Sequence, residues 1–306
     1  MKHATRKLFV LFCIILICTT WVSAATTLIP GGQVIGLNLA DGTVTVAKVE
    51  NLFSPLKAGD KLVSADASPI RCVDDVRNAL QKGTVCLSIL RNGKPKTLTV
   101  SGPKLGVYLR QGTAGLGTVT YYNPENKTFG ALGHGVCDTQ GNLTQMETGT
   151  VHTAGVMSVK PGKIGTPGQL MGSITQENPI GTLSKNTRQG IFGEMLSVPA
   201  EPLPVASKEE IQTGKATIYS TISGNTLQEY SVEILKIYPG GSDTRNMLIK
   251  VTDPALLSAT NGIVQGMSGS PIIQNGKLIG AVTHVLVNDP TTGYGIFIEN
   301  MLDAAA

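Results

Sequence analysis

Apolar and polar positions alternate with a period of two through most of the chain, in short runs broken by Gly, Asn, Asp and Pro. This is the pattern of short, half-buried strands. After Pro30, Val34-Ile35-Gly36-Leu37-Asn38-Leu39 and residues 43–49 predict two strands joined at Asp41-Gly42. A turn over residues 54–60 then leads into a strand ending near Ala65. Between residues 73 and 82 the period changes: Val73, Val76, Ala79 and Leu80 recur at helical spacing, and Gly83 closes the segment. Residues 85–90 and 96–100 predict a hairpin around Arg91-Asn92-Gly93.

From residue 105 onward the period stays at two. Residues 107–109, 117–122, 129–132, 150–159, 190–196, 216–222, 229–237 and 247–251 read as strands, with no long amphipathic helix among them. Many short strands at this spacing predict a sandwich or barrel. The Gly/Pro/Lys-rich stretch 160–168 lacks the GK[ST] ending of a phosphate-binding loop and reads as a connection between two barrels.

The chemistry concentrates in Gln265-Gly266-Met267-Ser268-Gly269-Ser270-Pro271. Glycines on both sides of a serine let the backbone turn tightly enough to aim N–H groups at a reacting carbonyl oxygen while the hydroxyl stays accessible. A serine hydroxyl needs a base, and the base needs an orienting group. Of the four histidines, His134 lies in a second glycine-rich turn, Gly130-Ala131-Leu132-Gly133-His134-Gly135. For the acid, Asp253 is favoured because Pro254 ends the preceding strand and leaves the carboxylate at a turn. Asp138, four residues after His134, is its rival. The order His134, Asp253, Ser268 is that of the chymotrypsin-type triad, although Asp253 stands only 15 residues before Ser268. Gly266 and Ser268 would supply the oxyanion N–H groups. Ser270 and Cys137 are alternative nucleophiles, while His152 and His284 read more readily as structural strand residues.

The strings Gly130 to Val136, Gly266 to Ile272, Gly280-Ala-Val-Thr-His-Val285, Asp289 to Ile296 and Ile29-Pro-Gly-Gly32 together resemble the SpoIVB (stage IV sporulation protein B) serine peptidases. The resemblance implies that His134, Asp253 and Ser268 are the catalytic residues and that no cofactor or metal is needed. It further implies an endopeptidase exported from the forespore into the space between its two membranes, which processes itself and cuts a membrane-bound regulator. That cut would release an intramembrane protease and activate a late sporulation sigma factor.

Composition adjusts this picture in three places. Lys2, Arg6 and Lys7 precede an apolar run ending near Val22, so residues 1–24 read as an export signal, either cleaved after Ala24 or retained as an anchor. Without those three charges the formal +4 falls to +1, and nucleic acid is not an expected partner. Cys72, Cys86 and Cys137 remain, an odd number with no metal-site spacing; one disulfide is open to them, and three buried reduced thiols are the plainer expectation.

The expected architecture is therefore mainly β: a small module over residues 30–104, then a chymotrypsin-like double β-barrel over 105–303. The module resembles a bacterial PDZ domain, most visibly in Leu56-Lys-Ala-Gly-Asp-Lys-Leu62. That resemblance implies an extended C-terminal or internal peptide ligand added as a strand, with Ile35, Gly36 and Leu37 as the carboxylate-binding loop. Two other classes compete with the peptidase reading. One is a non-catalytic PDZ-type scaffold of the cell envelope, disfavoured by the intact His134, Asp253 and Ser268. The other is an esterase, which would carry its serine in Gly-x-Ser-x-Gly between strand and helix.

Overall fold

The computed structural model describes residues 26–102, 105–138, 141–174, 178–196, 200–240 and 244–306. The expected export segment, residues 1–24, and residue 104, the expected end of the small module, lie outside them. In chain order the elements are β1 (Thr27–Pro30), β2 (Val34–Val49), β3 (Lys61–Ala65), β4 (Ser68–Pro69), α1 (Val73–Gln81), β5 (Thr84–Arg91), β6 (Lys94–Ser101), β7 (Val107–Asn123), β8 (Thr128–Ala131) and β9 (Thr148–Lys160). They continue with β10 (Gln169–Ile174), β11 (Gly181–Thr187), β12 (Gly190–Met195), β13 (Leu203–Pro204), β14 (Gly214–Thr221), β15 (Leu227–Ile237), β16 (Met247–Val251), α2 (Pro254–Thr260), β17 (Pro271–Gln274), β18 (Lys277–Leu286), β19 (Asp289–Phe297) and α3 (Ile298–Ala305).

Two rings of strands dominate. In the first, β2 pairs with β7, β7 with β8, β8 with β12, β12 with β11, β11 with β9, and β9 returns to β2. The alternating apolar residues meet inside it: Ile35, Leu37, Leu39, Val119, Phe129, Val151 and Ile191 form one buried cluster. The second is a closed barrel in the order β14-β15-β16-β19-β18-β17, filled by Ile218, Val232, Ile249, Ile272 and Val282. The molecule is thus mainly β, built as a double barrel of the chymotrypsin type. Among the described residues no helix is long and apolar enough to cross a membrane.

The small module hangs on the first barrel. Its core gathers Val44, Val46, Leu62, Val76, Leu87, Ile89 and Val100 from β2, β3, α1, β5 and β6. The predicted helix runs to Gln81 and the predicted hairpin turns at Asn92 and Gly93, both with positive φ as a type I′ turn demands. The two strands expected to fold back at Asp41-Gly42 are instead one 16-residue strand, β2, and residues 107–109 and 117–122 are likewise joined in the 17-residue β7. A register shift between Leu39 and Val44 absorbs the polar turn sequence. Opposite it Gly112 has φ of 62°, and a Cβ there would lie 1.8 Å from the Leu39 carbonyl oxygen.

This corrects the assignment of Ile35, Gly36 and Leu37. They face Gly117, Leu116 and Gly115 of β7 on one side and Thr153, His152 and Val151 of β9 on the other. With both edges paired inside the barrel wall, no backbone N–H of that segment is left for a peptide carboxylate. Local alternation marks the strand correctly, but nothing local reports which barrel a strand joins.

Within the module, Asp60 is 1% exposed and meets Arg91 in a two-pronged pair, Nε to Oδ1 and Nη2 to Oδ2, each 2.7 Å. Burial alone would raise the Asp60 pKa, but the Arg91 hydrogen bonds and the Lys57 N–H outweigh it and the carboxyl lies below its ordinary value. Removing the cation strands a buried charge. Arg91→Met is expected to cost about 3 kcal/mol at neutral pH by urea denaturation. The loss should shrink as pH falls through and below the ordinary aspartate range, where Asp60 becomes protonated and the pair's contribution disappears.

Candidate active site

The chain leaves β8 through a backbone that strands do not tolerate. Leu132 has φ of 69° and Gly133 φ of 66°, and the Gly133 N–H bonds back to the Ala131 carbonyl at 2.9 Å. A left-handed leucine carries a cost of about 1 kcal/mol, held in place here by burial of its side chain and by its N–H on the Thr118 carbonyl at 3.2 Å. The reversal delivers His134 to the space between the barrels.

Ser268 arrives from the second barrel on the turn before β17. Gly266 (φ 100°) and Gly269 (φ 99°) flank it in conformations that a side chain resists. A Cβ on Gly269 would sit 2.0 Å from the Thr118 carbonyl oxygen, so glycine is required there for the turn to press against β7. The N–H groups of Met267, Gly269 and Ser270 bond to the carbonyls of Val264, Val282 and Met267. Those of Gly266 and Ser268 have no acceptor among the described residues, as an oxyanion site requires.

Thr118, which sequence reasoning missed, joins the two turns. Its N–H reaches the Ser268 carbonyl (3.2 Å), its hydroxyl the Gly266 carbonyl (2.7 Å), and its own carbonyl receives the Leu132 N–H. It is fully buried. A single polar residue in an alternating strand carries no signal of this duty.

His134 and Ser268 line one cavity of about 600 Å³, together with Leu37, Leu39, Thr113, Val136, Cys137, Pro167, Ile263, Val264, Val285 and His284. None of its lining residues is charged. The Ser268 hydroxyl donates to the Thr283 carbonyl at 2.7 Å. His134 Nδ1 lies 2.9 Å from the Gly135 carbonyl, and its ring centre is 5.2 Å from that of His284. Burial pushes the His134 pKa below its ordinary value, only partly opposed by the Gly135 bond.

The expected acid is elsewhere. Asp253 caps the N-terminus of α2: Oδ1 accepts from the N–H groups of Ala255 (2.9 Å) and Leu256 (3.0 Å), and Oδ2 from that of Ser231 (3.3 Å). Pro254 after it is a helix-start signature, read from sequence as a strand end. Asp253 does not line the cavity, and neither does Asp138, which accepts from Asn142. Ser270 is fully buried and bonds Ser220, so it is not exposed to a substrate. His152 pairs with Thr150 within β9. Cys137 reaches the cavity, with its Sγ 3.9 Å from the Gly135 carbonyl. The three cysteines are free as expected but not buried: Cys86 and Cys137 are exposed and Cys72 half-buried. Among the described residues no cluster of side chains suits a metal ion.

A serine on a glycine turn with open N–H groups beside it, sharing an uncharged cavity with a neutral histidine between two β-barrels, is the arrangement of a serine peptidase. The chain belongs to the SpoIVB peptidase S55 family, which it matches over residues 102–302. A comparison with curated proteins found no match. Among solved structures the chain is similar to the Rv3671c protease of M. tuberculosis. The active form is 17% identical over 75% of this chain and 82% of that one (TM-score 0.38). The inactive form is 16% identical over 62% and 84% (TM-score 0.38).

Both the clamp and the histidine can be probed directly. Thr118→Val keeps the shape but leaves the half-buried Gly266 carbonyl without its donor. It should lower stability by about 1–3 kcal/mol in denaturant titration and peptidase activity on the order of 10- to 100-fold. Because burial holds His134 neutral, the acid limb of kcat/KM should fall below pH 6.5, the ordinary histidine value, in a rate profile against pH.

Proposed function

We propose that this chain is a serine endopeptidase in which Ser268 is the nucleophile and His134 the general base, and that its protein substrate is a membrane-bound regulator cut during sporulation. The observation that carries the chemistry is the shared cavity of His134 and Ser268 with the unspent N–H groups of Gly266 and Ser268 above the glycine turn. Family membership supports the biological setting: export across the forespore membrane, self-processing, and activation of a sigma factor through an intramembrane protease.

In the resting arrangement the Ser268 hydroxyl is held by Thr283. Rotation about its Cα–Cβ bond releases it to attack the scissile carbonyl carbon as its proton passes to His134. The carbonyl oxygen becomes an oxyanion on the Gly266 and Ser268 N–H groups, each donor worth roughly 3–4 kcal/mol in a comparable protease. His134 then gives the proton to the leaving amine, and water, deprotonated by the same ring, hydrolyses the acyl-enzyme and restores the serine.

The small module is read as the peptide-binding partner domain. A groove of ordinary ligand size lies between α1 and the start of β7, with an apolar floor of Val73, Val76, Leu80, Leu105, Val107 and Leu109 and with Glu50, Arg77 and Tyr108 also lining it. Among the described residues, 107–111 pair only with β2, along one edge, so a strand can add along the other.

The chemistry is tested by treating the protein with a fluorophosphonate and mapping the adduct by peptide mass spectrometry. Labelling of Ser268 that disappears in His134→Ala is expected. Folded protein that takes no label would count against an activated serine and favour the scaffold reading.

A further inference from the structure

A serine and a histidine cut a peptide bond, but the walls around them decide which residue can precede it. We propose that the enzyme cuts after an apolar residue, whose side chain enters a pocket walled by Pro167, Ile263, Val264, Val285 and Val287. The inference rests on the assignment of Ser268 and His134 as nucleophile and base, and names the substrate class of that site.

Proton traffic decides which end of the cavity takes that side chain. His134 gives its proton to the leaving amine, so the amine half of the substrate lies toward the histidine turn, where Val136 and Cys137 follow His134 along the cavity. The acyl half carries the carbonyl oxygen onto the Gly266 and Ser268 N–H groups and extends the other way, over the second barrel. Three separate segments meet there: Ile263 and Val264 ahead of the glycine turn, Val285 and Val287 at the end of β18, and Pro167 between β9 and β10.

Backbone contacts fix these walls. Ile263 and Val264 are buried, and the Ile263 N–H bonds to the Pro290 carbonyl at 2.8 Å. A Cβ on Gly293 would lie 2.6 Å from Ile263 Cδ1, so the bare glycine is what leaves that side chain its place. The segment carrying Pro167 is tied on both sides of it. The Gly165 N–H donates to the Val287 carbonyl at 2.8 Å, and the Gln265 N–H to the Gly168 carbonyl at 2.9 Å. A Cβ on Gly168 would stand 2.6 Å from Val264 Cγ1, which shows how closely this segment presses on the wall. Val287 is exposed and leaves the pocket open to an incoming chain.

The chemistry of the walls selects the occupant. No residue lining the cavity is charged, so nothing there pairs with a lysine, arginine, aspartate or glutamate side chain. A charged group entering would give up its water without a partner, whereas an apolar one gains by leaving water. Gln265, the one amide side chain in the lining, is exposed and keeps its own hydration.

The experiment offers the full-length protein a series of peptidyl phosphonate diphenyl esters that differ only in the residue at phosphorus: valine, leucine, lysine or glutamate. A fluorophosphonate without a peptide runs in parallel, and adducts at Ser268 are mapped by peptide mass spectrometry. The valine or leucine ester should label at least roughly 100-fold faster than the lysine and glutamate esters. Val285→Glu, checked for folding by its melting temperature, should move the ratio at least roughly 10-fold toward lysine. Val287→Glu, at an exposed position that accepts a charge, supplies the same readout should Val285→Glu not fold. Wild type that takes the fluorophosphonate but shows no preference for valine or leucine overturns the inference alone, as do folded variants that leave the ratio unchanged. Wild type that takes neither the fluorophosphonate nor any ester overturns the nucleophile assignment, and the inference with it.

Discussion

Thr118 holds the two glycine turns of the candidate site together. Ser268 and His134 come from different barrels, so their separation depends on how two independently closed sheets sit against each other. One buried threonine bonds the carbonyls on both sides of Met267 and takes the N–H at the head of the histidine turn. These are main-chain contacts apart from one hydroxyl, which makes the clamp short and stiff. The glycines around it are consequences: Gly269 is bare because Thr118 comes so close, and Gly133 because β18 does.

His134 and Ser268 were legible in the sequence because each needs a backbone that only glycine-rich turns supply, and such turns leave a local mark. Asp253 was legible only as a carboxylate beside a proline, and two structures share that mark. A strand end that frees an acid and a helix start that consumes one differ in the residues beyond the proline, and Pro254-Ala-Leu-Leu is a helix opening. The short strands were found nearly everywhere, yet their joining into β2 and β7 was not, because Asp41-Gly42 has the composition of a hairpin and only the partner strand shows that the chain runs on. Barrel membership, the pairing of Ile35 to Leu37 and the duty of Thr118 are all long-range contacts, which no window of neighbouring residues contains.

Aliphatic side chains, two imidazoles and backbone make up most of the cavity wall. In so apolar a site the hydrogen bonds at His134 and Ser268 are less screened by water than they would be on an open surface. The same surroundings hold the His134 pKa below its ordinary value and favour the neutral ring.

The small module is not tethered to the first barrel but grown out of it. The strands that form its wall at residues 44–49 and 107–111 continue into the barrel as residues 34–39 and 113–118, still paired with each other. Leu37, Leu39, Thr113 and Gly115 of that ribbon line the cavity that His134 and Ser268 share. Mechanically the pair is a torsion bar: a twist applied at the module turns the cavity wall, with no linker between them to slacken it.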